Sequence, residues 1–183
     1  MQPTTVEKID SKKLRGGYYT PQPIADFICR WAITKPTQRV LEPSCGDGNF
    51  IESAIKRFLE LGVPQNKLFG LLKGIELVKR EAEESKRRAA NYGLNSTTII
   101  NSDFFNYISN ANGDGHYDVV IGNPPFIRYQ NFPEEHRKKA FEMMEAMGLT
   151  PNKLTNIWVP FLVLSANSLN RYGKLGMVIP AEL

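Results

Sequence analysis

The hydrophobic positions of the chain fall into short runs that alternate with amphipathic stretches. Each run is bounded by Gly, Pro, Asn or charged residues, a pattern typical of strands buried inside a sheet. The predicted strands are residues 39–41, 68–75, 97–100, 117–121 and 174–179. Strands that alternate with helices predict an α/β fold with a parallel, doubly wound sheet and helices on both of its faces.

The amphipathic stretches between these runs predict helices. Their expected positions are residues 21–34, 50–61, 77–92, 133–147 and 156–169. The last helix is expected to be capped by residues 170–173. In the first helix, Thr20 is the expected N-cap and Pro21 the first helical residue. The apolar face of that helix is predicted to consist of Ile24, Phe27, Ile28 and Trp31.

Composition places the chain among ordinary globular proteins. Its 183 residues are 42% hydrophobic and 23% charged, which suits one domain with a sizeable core. A net charge of +4 is mildly basic and agrees with a polyanionic partner without requiring one. Because no apolar run reaches membrane-spanning length and the polar start lacks a signal-peptide core, a cytoplasmic protein is expected.

The remaining composition signals are weak. Residues 1–17 are polar and basic and are expected to form a loose arm before a domain over residues 18–183. Cys29 and Cys45 have no metal-ligand spacing, so reduced thiols and no metal site are expected. His116 and His136 are isolated in the sequence and are assigned no chemistry.

The first predicted strand leads directly into a glycine-rich turn with the sequence Glu42-Pro43-Ser44-Cys45-Gly46-Asp47-Gly48. A turn of this kind between a strand and a helix lets the backbone approach a ligand, while the helix N-terminus offers free N–H groups. The turn therefore indicates a nucleotide-type binding loop. Its two glycines, in place of the three of the dinucleotide fingerprint, disfavour NAD.

Acidic residues follow the second and third strands. Glu76 could accept both hydroxyls of a ribose, as the acid after a Rossmann turn does, or could be a solvated residue at a strand end. Asp103 stands beside Phe104 and is either a second ligand-binding acid or the N-cap of a short helix. The two roles of Asp103 can coexist.

The fourth strand ends in the sequence Asn123-Pro124-Pro125-Phe126. Proline has no N–H and drives the residue before it out of the helical region, so two prolines predict a stiff, extended loop. The loop would present a side-chain amide, a free carbonyl and an aromatic ring at the carboxyl end of a strand. Ligands bind at that end in open α/β sheets.

In this order, the motifs resemble those of the gamma-class amino-methyltransferases of restriction-modification systems. These enzymes methylate N6 of adenine in DNA and use S-adenosylmethionine. The resemblance covers residues 18–183. It implies a Rossmann-like class I S-adenosylmethionine-dependent methyltransferase fold that is truncated here after the fifth strand.

The resemblance also implies the cofactor site. Tyr19 and Thr20 would help to hold the methionine end, Glu76 the ribose, and Asp103 with Phe104 the adenine. An aromatic residue in the later segment Asn156-Ile157-Trp158-Val159-Pro160-Phe161 would lie near the adenine as well. The other residues implied at the cofactor site are Glu42, Pro43, Cys45, Gly46, Gly48, Asn123 and Phe161.

The catalytic residues implied by the resemblance are those of the loop from Asn123 to Phe126. An exocyclic adenine amine is a poor nucleophile because its lone pair is delocalised into the ring. The hypothesis is that the Asn123 side-chain oxygen and the Pro124 carbonyl accept hydrogen bonds from the two N–H groups of this amine. Phe126 would stack on a base flipped out of the duplex.

Several expectations concern the rest of the enzyme. The family fold continues with two more strands and a target-recognition domain, so this stretch is expected to methylate DNA weakly or not at all. The expected partner is double-stranded DNA, with a fused or separate restriction endonuclease possible. Two alternatives stay open: methylation of RNA bases or protein glutamine, and a non-catalytic cofactor-binding fragment.

Overall fold

A computed structural model describes residues 19–110, 117–127, 131, 133–152 and 155–181. The predicted arm at residues 1–17 and His116 lie outside the described residues. Five strands form one sheet in the order β3-β2-β1-β4-β5, and every neighbouring pair is parallel. The strands are β1 Val40–Glu42, β2 Leu72–Glu76, β3 Ile99–Asn101, β4 Tyr117–Gly122 and β5 Leu169–Met177.

Helices connect the strands within the described part of the chain. They are α1 Gln22–Ala32, α2 Asn49–Glu60, α3 Lys79–Ala90, α4 Phe104–Ser109, α5 Glu134–Ala146 and α6 Trp158–Asn167. The predicted alternation of strand and helix is therefore confirmed. None of the described helices is long and apolar enough to cross a membrane.

The core consists of two apolar layers, one on each face of the sheet. Side chains alternate between the faces along a strand, so Val119 and Ile121 join one layer and Val120 joins the other. Helices α1, α2 and α3 cover the first layer, and α4, α5 and α6 cover the second. Each large apolar side chain buried in these layers stabilises the fold by about 1.5–3 kcal/mol.

Two predicted strands begin later than the apolar pattern indicates. The segments Gln65–Gly70 and Ser96–Thr98 are 3₁₀ turns that precede β2 and β3. Leu68 is fully buried although it lies in a turn. An apolar residue that anchors a turn to the core has the same hydrophobicity as a strand residue, which explains the error.

The last strand begins earlier than predicted. β5 starts at Leu169, where a helix was expected, and residues 170–173 lie within the strand instead of capping the helix. Tyr117 pairs with Leu169 and Val119 pairs with Lys174, so two steps along β4 match five along β5. The extra residues form a bulge in which Tyr172 is 86% exposed.

The predicted apolar face of α1 is wrong. Phe27 is 71% exposed and Trp31 is 51% exposed, and Ile24 is exposed as well. The buried residues of the helix are instead the small ones, Ala25, Cys29 and Ala32. Small side chains let α1 approach the sheet and α2 closely. The stabilisation from this close packing exceeds what burial of the larger aromatic rings would contribute.

Candidate functional site

Polar residues gather where four neighbouring strands end. Glu42 closes β1, Glu76 closes β2, Asp103 follows β3 and Asn123 follows β4. Because these strands are parallel and adjacent in the sheet, their carboxyl ends share one edge. The structure thus brings together the residues that the sequence placed at separate strand ends, and this edge is where open α/β sheets bind ligands.

The glycine-rich loop between β1 and α2 is held against the end of β2. The Cys45 N–H donates to the Ile75 carbonyl at 2.9 Å, and the Gly48 N–H donates to the Cys45 carbonyl at 2.8 Å. Gly48 has a φ of 95°, which disfavours residues with a side chain, and the N-terminus of α2 follows it. Pro43 and Cys45 are buried in this loop, and Gly46 is half-buried.

Glu76 connects that loop to the end of its own strand. Oε2 accepts a hydrogen bond from the Gly46 N–H at 2.9 Å, and Oε1 accepts one from the Val78 N–H at 2.7 Å. Burial raises the pKa of Glu76, although both backbone bonds favour its ionised form. Each carboxylate oxygen retains a further lone pair, with which it can accept a ligand hydroxyl.

Glu42 is a buried carboxyl with one oxygen in use. It accepts a hydrogen bond from the backbone of Ile51 in the first turn of α2, while Oε2 has no hydrogen-bond partner among the described residues. Burial, together with the nearby Glu76 and Asp47, raises the pKa of Glu42 well above its usual value. A cationic ligand group at Oε2 would relieve this cost.

Tyr19 and Thr20 lie on the other side of the glycine-rich loop. The Tyr19 ring lies close to Gly46, since a Cβ on residue 46 would be 3.7 Å from the ring. The Tyr19 hydroxyl donates a hydrogen bond to the Glu81 carboxylate at 2.7 Å. Burial and the Glu81 carboxylate raise the pKa of Tyr19. Thr20 is not the N-cap, because Pro21 takes that position.

The Thr20 side chain has instead a buried hydroxyl. Thr20 is 6% exposed, and its Oγ1 has no hydrogen-bond partner in the described part of the chain. Its carbonyl accepts a hydrogen bond from the Asn49 side chain at 3.0 Å, which ties this segment to the start of α2. A buried hydroxyl without a partner is costly, so a ligand atom at this position is expected to satisfy it.

Asp103 has one of the two roles considered for it, that of a helix N-cap. As the N-cap of α4, its Oδ1 accepts a hydrogen bond from the Asn106 N–H at 2.9 Å, which confirms the capping role. Oδ2 lies 3.2 Å from Nδ1 of His136. Burial raises the pKa of Asp103, and the neighbouring His136 opposes that rise.

The aromatic residues predicted to lie near the cofactor adenine pack on one another. The rings of Phe104 and Phe161 are stacked, with centroids 5.1 Å apart, and Phe105 meets Phe161 edge-on at 4.9 Å. Phe104 and Phe161 are both buried. The structure thus brings these two rings together directly behind Asp103.

The loop after β4 lies beside the glycine-rich loop. Pro124 is buried, whereas Asn123, Pro125 and Phe126 are half-buried. The Ser44 hydroxyl donates to the Asn123 carbonyl at 3.2 Å, which ties this loop to the glycine-rich loop. No described residue donates a hydrogen bond to the Pro124 carbonyl.

Residues 6–183 match the family model described as N-6 DNA Methylase. The chain belongs to this family. The curated relatives of the chain include the type II methyltransferase M.AccI of Acinetobacter calcoaceticus, which is 25% identical over 95% of the chain and 29% of the relative. M.BstVI of Geobacillus stearothermophilus is 26% identical over 92% of the chain and 34% of the relative. The chain spans about a third of the length of these relatives.

Solved structures share the same fold. The superposition on a chain of the DrdV–DNA complex has a TM-score of 0.72 at 18% identity. It covers 92% of this chain and 21% of the other. The methyltransferase subunit of a type I restriction-modification system from Streptococcus thermophilus has a TM-score of 0.69 at 18% identity, covering 89% of the chain and 34% of its own. The fold is the predicted Rossmann-like class I methyltransferase fold.

Two residues around the site were missed in the sequence. His136 was assigned no chemistry, but it lies against Asp103. Arg88 was given no role, but its guanidinium bonds Asp47 at 2.7 Å and Glu52 at 3.3 Å. Both contacts join residues more than 30 positions apart, and no local pattern signals such a pair.

Proposed function

We propose that the chain is the catalytic part of an enzyme that transfers a methyl group from S-adenosylmethionine to N6 of adenine in a specific DNA sequence. The observation that carries this proposal is the shared edge at which Glu42, Glu76 and Asp103 meet the Asn123–Phe126 loop. Membership of the N-6 DNA methylase family supports the adenine amine as the methyl acceptor.

The residues around the glycine-rich loop fit the cofactor. Glu42 Oε2, buried and without a partner among the described residues, suits the cationic ammonium group. Glu76 suits the two ribose hydroxyls and Asp103 the adenine amine. The buried hydroxyl of Thr20 suits a polar atom of the methionine end. The other residues of this proposed site are Tyr19, Pro43, Cys45, Gly46, Gly48, Phe104, Asn123 and Phe161.

The catalytic loop activates the acceptor amine. The side-chain oxygen of Asn123 and the carbonyl of Pro124 accept hydrogen bonds from its two N–H groups. These hydrogen bonds favour a pyramidal nitrogen with an available lone pair. Pro125 keeps the loop extended, and Phe126 stacks on the flipped base. S-adenosylmethionine would supply a methyl group on a sulfonium: the bond from nitrogen to the methyl carbon forms as the bond from sulfur to that carbon breaks, the thioether leaves without acid catalysis, and the methylated amine then loses one proton to solvent. Positioning therefore matters more than a strong base, and the loop needs no Asp, Glu or His.

The wider setting follows from the same proposal. The relatives named above are type II methyltransferases about three times as long as this chain. We propose that the protein acts on double-stranded DNA in the cytoplasm within a restriction-modification system, beside a fused or separate endonuclease. Specific recognition of DNA buries a large surface with base-edge contacts, and we assign it to sequence outside these 183 residues.

Two measurements test the proposal. Calorimetric titration of the 183-residue chain with S-adenosylmethionine should show saturable binding at one site. The full-length protein should transfer tritiated methyl groups to DNA, and nucleoside mass spectrometry should identify N6-methyladenine. Methyl transfer to RNA or to protein glutamine, without transfer to DNA, would show that the methyl acceptor is that substrate and not DNA. A chain that fails to bind the cofactor would refute the enzyme assignment.

The catalytic role of Asn123 gives a sharper prediction. Asn123→Ala removes one acceptor for the amine and should reduce methyl transfer by the full-length protein about 100-fold or more. The matched control is Asn167→Ala, at the exposed end of α6, which should retain wild-type transfer. Wild-type turnover by Asn123→Ala in single-turnover assays would eliminate the proposed role.

A further inference from the structure

His136 reaches the cofactor side of the site from the element that follows the catalytic loop. It lies in the first turn of α5, and its Nδ1 is 3.2 Å from Oδ2 of Asp103. The two side chains are 19% and 4% exposed, so the contact is largely shielded from water. Helix α5 packs on α4, whose N-cap is Asp103.

The two oxygens of Asp103 have separate partners. Oδ1 accepts the Asn106 N–H, and Oδ2 faces the His136 ring. The contact between Oδ2 and Nδ1 is a close electrostatic one at 3.2 Å and does not meet the geometry of a hydrogen bond. The hydrogen bond at Oδ1 and the ring beside Oδ2 together restrict the plane of the carboxylate.

His136 also affects the charge of Asp103. Burial raises the pKa of the Asp103 carboxyl, and His136 lowers it. Helix α4 contributes Tyr107 as its other titratable group, and α6 carries none. Helix α5 itself carries further charged groups, which are Glu134, Glu135, Arg137, Lys138, Lys139, Glu142 and Glu145. On the described residues of α4 and α6 and their caps, Asp103 is the carboxylate that faces His136.

We propose that His136 is a positioning residue that keeps Asp103 an oriented acceptor and thereby selects a purine with an amino group at position 6. This rests on the proposed function, in which Asp103 binds the adenine of the cofactor. A 6-amino group donates to an acceptor, whereas the oxygen of a 6-oxo purine is repelled by a carboxylate. Only a protonated Asp103 could donate to that oxygen, and His136 disfavours the protonated form.

The test compares two ligands that differ at this position. S-adenosylhomocysteine and S-inosylhomocysteine are titrated calorimetrically into the 183-residue chain. The wild type should prefer the adenine ligand at least 10-fold. His136→Ala should weaken binding of the adenine ligand about 10-fold and reduce the preference to a similar degree, since Asp103 loses the polar group that restricts its orientation.

Conservative replacement and pH separate positioning from packing. His136→Asn places an amide N–H near Nδ1 and should restore most of the preference, whereas His136→Leu fills the space without a donor and should not. His136 lowers the pKa of Asp103, so without His136 the Asp103 carboxyl should become protonated at a higher pH. The preference for the adenine ligand should therefore be lost at a higher pH in the variants than in the wild type. Glu135→Ala, exposed on the same helix, should behave as wild type.

The outcomes are distinguishable. An unchanged preference in both His136→Ala and His136→Leu overturns the proposal, as does equal weakening of both ligands with no change in preference. If the alanine variant does not fold by circular dichroism, the leucine and asparagine variants decide. Wild-type binding without discrimination refutes the role of His136 and leaves the proposed function standing. Failure of the wild type to bind either ligand refutes both.

Discussion

Gly48 shows how much the glycine-rich loop depends on a single residue. Its φ of 95° lies in the left-handed region, and a Cβ there would be 2.8 Å from Ser85 Oγ and 3.0 Å from Ser85 Cα. The second contact is with backbone, which cannot rotate away. The loop and α3 can therefore approach each other this closely only when residue 48 has no side chain.

Gly48→Ala should be strongly destabilising. The strained backbone costs about 1–3 kcal/mol, and overpacking against Ser85 adds a similar amount. Gly62→Ala is the matched control, because Gly62 also has a positive φ, 79°, but a Cβ there would meet nothing within 4 Å. Urea unfolding of both variants separates the two effects. Equal losses of unfolding free energy would mean that the contact with Ser85 contributes nothing.

At the scale of elements, Arg88 connects α3 to the loop before α2. Its guanidinium bonds Asp47 in the loop and Glu52 in α2, and its side chain is 29% exposed. The neighbouring Arg87 is 74% exposed and pairs with Glu84 on its own helix. Partial exposure limits the contribution of each bond to stability, so the main effect of Arg88 is expected on loop order.

Arg88→Ala should loosen the glycine-rich loop. Amide hydrogen exchange at residues 46–49 should accelerate about 10-fold, because the loop loses its link to α3, and cofactor affinity should fall with it. Arg87→Ala, the matched control, removes the same charge from the exposed face and should leave exchange in the loop unchanged. If amide exchange in the loop accelerates equally in both variants, the loss of a positive charge explains the effect, and the contact between Arg88 and the loop does not.

The elements also show what the sequence could predict. Strands β1 and β4 were located closely because continuous apolar runs bounded by Pro or Gly have few other interpretations. The face of α1 was predicted wrongly, since periodicity reveals which residues share a face but not whether small or large ones meet the sheet. The bulge in β5 depends on pairing with β4, which is set by tertiary contacts absent from local sequence.

The same distinction applies to the site. Glu42, Glu76, Asp103 and Asn123 could be predicted because parallel topology places strand ends together. The pairing of His136 with Asp103 could not, because it depends on how α5 packs on α4. Sequence order therefore predicts which chemistry shares an edge, whereas the partners that orient each group follow from helix packing.

For the whole molecule, buried acids determine how stability depends on pH. The pKa values of Glu42, Glu76 and Asp103 are raised chiefly by burial. An acid with a raised folded pKa contributes stability that is present below its ordinary value, about 4. That contribution is lost as pH rises through the folded value. The free energy of unfolding of the ligand-free chain should therefore fall as the pH rises above about 4.

Glu42→Gln tests this dependence. It removes a buried ionisable group and should raise the free energy of unfolding at pH 8 by about 1–3 kcal/mol, with little change at pH 4.5. The same variant should weaken cofactor binding. Glu134→Gln, exposed at the start of α5, is the control and should alter neither. A pH profile for Glu42→Gln parallel to that of the wild type would contradict the assignment.

The bond from the Ser44 hydroxyl to the Asn123 carbonyl has a further consequence. It joins the loop proposed for the cofactor to the loop proposed for the target base, so occupancy of one subsite is expected to bias the geometry of the other. Such coupling is reciprocal: if the cofactor strengthens binding of a flipped adenine by some factor, the adenine strengthens binding of the cofactor by the same factor. One hydroxyl can thus make the two ligands cooperative.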